Sequence, residues 1–170
     1  SSDVCSSDLE KFFSLYDHYY LDGMRKKLGL EGEDPGDKDL IQDLLQLMYE
    51  HKADYTNTFL DLTFERWQEN ALGRSEGFIQ WQERWKARWN QNPGGWDATH
   101  ELLKGSNPAV IPRNHRVEEA LRPAVQSGDY APFMRLLHIL EEPFAHRLEQ
   151  EEFAQPPETS APHYRTFCGT

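Results

Sequence analysis

The side chains of this chain that could do chemistry are an arginine–asparagine pair at Arg113 and Asn114, seven scattered histidines, and a cysteine near the carboxyl end, Cys168. Arg113 could reach a phosphate or a carboxylate in a neighbouring domain, because a guanidinium group forms paired hydrogen bonds with such groups. Alternatively, Arg113 pairs with a structural carboxylate while Asn114 caps a helix that starts at His115. We favour the structural interpretation, and we expect the pair to lie where a helix begins.

The other candidate motifs are weaker. No two histidines are four residues apart and no H-E-x-x-H sequence occurs, so a zinc site is not expected. The sequence contains neither G-x-x-x-x-G-K-[ST] nor G-x-G-x-x-G, so no phosphate-binding loop is recognisable. Cys168 lies on a segment with little to bury it, and an accessible thiol there could be oxidised or pair with another cysteine.

Composition and charge exclude some classes of partner. The chain has 170 residues and a net charge of −11, with 38% hydrophobic residues. Its mean hydropathy is −0.80. A strongly acidic chain is a poor ligand for nucleic acid or for an anionic membrane surface, and no apolar run approaches the ~20 residues of a spanning helix. We therefore expect no nucleic-acid partner and no membrane association.

Residues 1–9, S-S-D-V-C-S-S-D-L, match the translation of a common sequencing-adapter oligonucleotide read in frame. We interpret them as an artefact, expect them to be disordered, and exclude them from fold reasoning. The alternative is a natural serine-rich terminus. Without this segment Cys168 is the only cysteine, which favours a reducing compartment and a cytoplasmic location.

Hydrophobic periodicity predicts an all-α fold of several amphipathic helices over residues 10–145. We expect helices at Glu10–Leu28, from Asp37 or Asp39, from about Asp54, at about Gly77–Trp89, at Asp97–Lys104, from His115 to Gly128, and after Asp129. In the helix at 77–89 an aromatic stripe lies beside arginines. It could stack on bases, but core packing is the better interpretation.

The segment 107–143 predicts a stiff lead-in followed by a helical hairpin. Pro108 and Pro112 favour extended backbone, and Gly128 is typical of a glycine that ends a helix. Pro123 falls inside the first helix and should kink it. Residues 146–170 are acidic and then proline-rich, so we expect an extended or disordered tail that carries Cys168.

Several segments together resemble one family. They are M-R-K-K-L-G-L at 24–30, A-D-Y-T-N-T-F at 53–59, N-P-x-x-x-x-R-N at 107–114 followed by G-D-Y and a leucine-rich helix, and the final F-C-G-T. In order and spacing they are similar to the C-terminal part of the selenoprotein O family, also called YdiU.

The resemblance implies a C-terminal helical region of a protein-kinase-like (pseudokinase) fold that binds ATP in an inverted orientation. The family transfers AMP from ATP to Ser, Thr or Tyr hydroxyls of proteins, using Mg²⁺ or Mn²⁺. Its catalytic lysine and its metal-binding aspartate and asparagine lie upstream, so we expect no catalytic, cofactor or metal residue in this chain. The implied partners are the missing kinase-like domain and protein substrates, in a bacterial cytoplasm.

The resemblance also implies a redox role for Cys168, with a possible disulfide to the missing core. Two alternatives stay open. The chain could be a free-standing α-helical interaction module without catalysis, with its tryptophan stripe as a partner groove. It could also be an independent enzyme of another type, although no motif converges on one.

Overall fold

The computed structural model describes residues 2–157, and for residues 2–8 and 10 it describes the backbone alone. The described residues form two compact units, the first ending at Asn107 and the second beginning at Pro108. The helices are α1 Ser2–Lys27, α2 Asp37–Glu50, α3 Tyr55–Thr63, α4 Glu76–Trp89, α5 Gly95–Ser106, α6 Asn114–Ser127, α7 Ala131–Glu141 and α8 Glu151–Ala154, with 3-10 turns at Trp67–Glu69 and Leu148–Gln150. The described residues contain no strand, so the predicted all-α class is confirmed.

Side-chain caps define where two helices of the first unit begin. The Asp54 carboxylate accepts a hydrogen bond from the backbone N–H of Asn57 at 2.9 Å, which starts α3 at the predicted place. The Ser75 hydroxyl accepts one from the N–H of Phe78 at 3.2 Å and starts α4. Each cap satisfies an N–H that has no partner within its helix.

The core of the first unit is built around the tryptophans of α4. Trp81 and Trp85 are completely buried and stack with centroids 5.8 Å apart. Each indole N–H donates a 2.8 Å hydrogen bond to a backbone carbonyl, Trp81 to Leu40 and Trp85 to Leu28. The predicted role of this stripe in core packing is therefore confirmed.

The second unit is a helical hairpin closed by the segment that follows it. Gly128 ends α6 with φ 70°, a conformation that glycine adopts without steric cost, as predicted. The hairpin buries a small core with Val110, Ala120, Leu136, Ile139 and Phe153. The buried amide of Gln150 donates to the carbonyls of Ile139 and Glu142, at 3.1 and 2.9 Å, and so holds the end of α7.

Some predicted boundaries differ from the structure. Helix α1 begins at Ser2, so the predicted start at Glu10 after a disordered segment was wrong; extending an existing helix is easy even for serine and aspartate. The origin of residues 1–9 stays a prediction. The tail was expected to be extended from residue 146, but residues 148–154 are helical because Phe153 packs into the core of the second unit. Residues 158–170 lie outside the described residues.

Candidate functional site

The predicted pair Arg113 and Asn114 lies at the start of α6, but with its roles shifted by one residue. The helix begins at Asn114, and Arg113 occupies the capping position with extended backbone, φ −71° and ψ 132°. The prediction that Asn114 caps a helix starting at His115 was therefore wrong. An arginine side chain has no acceptor, and no side-chain hydrogen bond caps this helix.

The first turn of α6 carries positive charge. Burial lowers the pKa of His115, and the guanidinium groups of Arg116 and Arg113 lower it further, against an opposing effect of Glu119. The imidazole is therefore neutral at pH 7. The role of Arg113 and Asn114 in an inter-domain contact stays a prediction.

A pocket of about 370 Å³ opens in the second unit, next to this turn. Its charged lining residues are Arg116, Glu119, Asp129, Arg135 and Glu152, with apolar side chains from Ala120, Ala131, Pro132 and Phe153. Both guanidinium groups lie over the ring of Phe153, at 5.8 Å for Arg116 and 5.1 Å for Arg135.

The two arginines of this pocket already have acidic partners. Arg116 contacts Glu119 at 3.0 Å and donates to the backbone carbonyl of Glu152 at 2.8 Å, while Arg135 contacts the Glu152 carboxylate at 2.8 Å. With Asp129, the lining carries three carboxylates against two guanidinium groups. This balance disfavours a phosphate or another anion in the pocket.

The strongest electrostatic feature of the first unit is a carboxylate held between two arginines. Asp37, the first residue of α2, is 1% exposed. Its two oxygens accept 2.7 Å hydrogen bonds from Arg25 of α1 and Arg88 of α4, and one of them also accepts the N–H of Asp34 at 3.0 Å. We call Arg25, Asp37 and Arg88 the buried triad.

The triad also fixes the loop between α1 and α2. Arg88 donates to the carbonyls of Glu31 and Gly32, at 3.0 and 3.3 Å. The buried Asn92 amide adds a second support, since its carbonyl accepts the N–H of Glu31 at 3.0 Å and its NH₂ donates to Gly29 and Thr99. Directional bonds therefore connect this loop to α4 and, through Asn92, to α5, next to the triad that joins α1, α2 and α4.

The triad is suited to support and unsuited to catalysis. Burial alone would raise the pKa of Asp37, but the hydrogen bonds from Arg88 and Arg25 hold it below its usual value. The carboxylate therefore stays ionised at pH 7. Both of its oxygens are occupied and shielded from solvent, so it cannot accept a proton from a substrate.

Sequence reasoning missed the triad, although the spacing contained a signal. Arg88 follows Trp81 and Trp85 at i+7 and i+3, so it lies on the buried face of α4. In α2, Asp37 precedes Leu40, Ile41 and Leu44 by three, four and seven residues, so it also lies on a buried face. A charged residue in register with an apolar stripe indicates a buried partner of opposite charge.

One sequence pattern was also overlooked. Residues 73–77, G-R-S-E-G, match the G-x-S-x-G pattern of nucleophilic serines. That motif requires a strand before the serine, and the described residues contain none. The Ser75 hydroxyl instead caps α4 and donates to the carbonyl of Leu72 at 2.7 Å. Its role here is structural.

Other features of the sequence can be placed only in part. Cys168 lies outside the described residues. Among the side chains that the structure describes, no three from His, Cys, Asp or Glu come together in a group that could hold a metal ion. No described helix is both long and apolar enough to cross a bilayer.

Comparison with known proteins identifies the family. Residues 1–141 match the sequence model of the family described as Protein adenylyltransferase SelO. The chain is 48% identical, over 98% of its length, to the Protein nucleotidyltransferase YdiU of Halalkalibacterium halodurans, and 50% identical, over 95% of its length, to that of Geobacillus kaustophilus. It spans about a third of these relatives, 34% of each. This chain belongs to the protein adenylyltransferase SelO family.

Proposed function

We propose that the chain is the carboxy-terminal helical part of a protein adenylyltransferase whose catalytic core has a kinase-like fold. In the reaction, a Ser, Thr or Tyr hydroxyl oxygen of a protein substrate attacks the α-phosphorus of ATP, pyrophosphate leaves, and the hydroxyl loses its proton. The observation that carries this proposal is the near-complete alignment of the chain, at 48% identity, with a third of a named nucleotidyltransferase.

Under this proposal the chain supports the reaction without carrying it out. Mg²⁺ and Mn²⁺ prefer carboxylate oxygens, and the described residues offer no group of ligands for such an ion. ATP and its metal would be held by the other two thirds of the protein. The first unit, with its tryptophan core and buried triad, would serve as a rigid support for that part.

The proposal is tested by grafting. A chimera in which this chain replaces the corresponding third of the Geobacillus kaustophilus protein is incubated with ATP labelled at the α-phosphate, Mg²⁺ or Mn²⁺, and a protein extract. We expect labelled proteins with the chimera and none with the isolated chain, which should also show no ATP binding by calorimetry. A folded chimera that labels nothing, beside an active unaltered relative, would refute the proposal and favour the helical interaction module.

We also propose that Cys168 regulates the full-length protein through a disulfide with a cysteine of the core. The Cys168 thiolate attacks a low-molecular-weight disulfide, releases one thiol, and the resulting mixed disulfide is resolved by the core thiol, which releases the second. Mass spectrometry of the chimera under non-reducing conditions tests this, with Cys168→Ser as the control. Absence of any crosslinked peptide, with activity indifferent to reductant, would overturn it.

A further inference from the structure

The first half of α1 presents a face of aromatic side chains to solvent. Five of the nine residues from 12 to 20 are aromatic, and they are between 39% and 69% exposed: Phe12, Phe13, Tyr16, Tyr19 and Tyr20. We call these five residues the aromatic face. Phe12 stacks on Tyr16 at 6.4 Å and Tyr16 on Tyr20 at 6.0 Å, so the rings form a continuous ladder along the helix.

The aromatic face points away from the core of its own unit. The second half of α1 packs into that core through Leu21, Met24 and Arg25, and Leu28 directly after the helix continues this buried side. At about 100° per residue, the mean direction of the aromatic face and that of these four residues differ by about 130° around the helix axis. The first unit therefore cannot cover the aromatic face while α1 stays helical and its second half stays buried.

The size and shape of the aromatic face indicate a broad protein surface as its partner. An aromatic side chain buries about 150–250 Å², so at the observed exposures the five rings present roughly 400–700 Å². This equals or exceeds the largest apolar patch of a typical monomer, about 300–600 Å². The face spans about 120° of the helix, wider than the two positions in seven that a coiled-coil seam uses. The breadth disfavours pairing with a second copy of α1.

We propose that the aromatic face is a docking surface for the remaining two thirds of the family protein, which the relatives have and this chain does not. The inference rests on the proposed placement of the chain within an adenylyltransferase. Three tyrosine hydroxyls lie among the rings, so the complementary surface is apolar with hydrogen-bond acceptors at its margin. Docking fixes α1 against the catalytic part of the protein and so joins the two parts of the enzyme.

Tyrosine nitration measures this directly. The isolated chain and the Geobacillus chimera are treated with tetranitromethane, and peptides are quantified by mass spectrometry. We expect nitration of Tyr16 and Tyr19 to fall by at least about tenfold in the chimera, because a covered side chain reacts only after local opening. Tyr49, which lies in the same unit and is 81% exposed, is the internal control and should react equally in both proteins.

Two results of the nitration experiment would overturn the proposal. One is that Tyr16 and Tyr19 stay as reactive as Tyr49 in the folded chimera. The other is that they are already protected in the isolated chain while sedimentation shows a dimer, which would make the second copy the occupant.

A double variant, Tyr16→Ser with Tyr19→Ser, provides a second measurement. In the isolated chain the melting temperature should not change, because both side chains are already exposed. In the chimera the double substitution should lower the melting temperature. The same two substitutions at the aligned positions of the full-length Geobacillus protein should lower its melting temperature as well. An equal effect in the isolated chain and in the full-length proteins would contradict docking, and Tyr49→Ser is the matched control.

The labelling assay separates this inference from the proposed function. A chimera that transfers AMP while Tyr16 stays reactive refutes the docking surface alone. A chimera that protects Tyr16 and transfers nothing refutes the proposed function alone.

Discussion

Replacing Asp37 with asparagine removes the negative charge between two buried guanidinium groups and leaves the shape of the side chain almost unchanged. The carboxylate is 1% exposed and accepts 2.7 Å hydrogen bonds from both Arg25 and Arg88. Breaking a buried ion pair from one side typically costs about 3–5 kcal/mol, because the remaining charge stays buried without compensation. We expect Asp37→Asn to lower the free energy of unfolding of the first unit by that amount.

Urea denaturation followed by tryptophan fluorescence measures this effect, since all five tryptophans lie in the first unit. The matched control is Asp43→Asn, in the same helix, where Asp43 forms an ion pair with Arg84 at the same distance, 2.7 Å. Both partners of that pair are about half exposed, so its loss should cost less than about 1 kcal/mol. If the two variants lost equal stability, the argument from burial would be refuted.

The same carboxylate predicts a pH dependence. The two arginines hold the pKa of Asp37 below its usual value, although burial opposes them, so its contribution to stability is present above the pKa of the unfolded chain, about 3.9. The contribution disappears as the pH falls through the folded pKa. We therefore expect the stability difference between wild type and Asp37→Asn to be constant near pH 7 and to shrink below pH ~4. A difference that grew on acidification would contradict the sign of this linkage.

Two further substitutions test backbone conformation and buried polar contacts. Gly29→Ala should lower the free energy of unfolding of the first unit by about 2–4 kcal/mol in the same urea assay, because φ is +67° and the new Cβ would lie 2.7 Å from Thr99. The control is Gly32→Ala, which has the same φ but no atom within 4 Å of the new Cβ, so it should cost only about 1–2 kcal/mol. Gln150→Ala should cost the second unit about 1–3 kcal/mol, measured by hydrogen exchange in α7, because it removes both donors to the end of that helix; the exposed Gln155→Ala should have no effect.

Local signals in the sequence were sufficient to place most helices. Asp54 caps α3 and Gly128 ends α6 as predicted, because capping depends on one side chain or one backbone angle and its nearest neighbours. The tryptophan stripe of α4 was assigned to the core correctly, since an aromatic residue at every helical turn in an acidic chain has few other uses. Helical periodicity and capping residues were therefore sufficient to predict the all-α fold class.

The candidate site depended on pairings that the sequence does not encode locally. Asp37 and Arg88 are far apart along the chain, and periodicity shows that each lies on a buried face without showing which partner it meets there. Asn92 is followed by a proline and two glycines, which is typical of a loop, yet its buried amide joins three segments. Such contacts follow from tertiary packing, which a helix-by-helix reading cannot provide.

The aromatic residues of α1 show a related limit. Their three- and four-residue spacing correctly predicted a helix, but an apolar face indicates only that something covers it. In this structure Met24 is buried and the five rings before it are exposed, because the apolar side of the helix faces the core of the first unit only after residue 20. Sequence periodicity could not distinguish burial within the unit from burial against another part of the protein.

The buried triad and the aromatic face lie on the same helix, and their geometry connects stability to docking. At 1.5 Å per residue, Phe12 lies about 20 Å along α1 from Arg25, where the helix is bonded to Asp37. A tilt of 10° at that anchor would move the far rings by about 3.5 Å, which closely packed side chains cannot absorb. Two guanidinium groups fix one carboxylate between α1 and α4, and directional bonds resist such a tilt better than apolar contacts do. If the aromatic face docks as proposed, the buried charge has a use beyond stability, because it fixes the direction in which α1 presents that face.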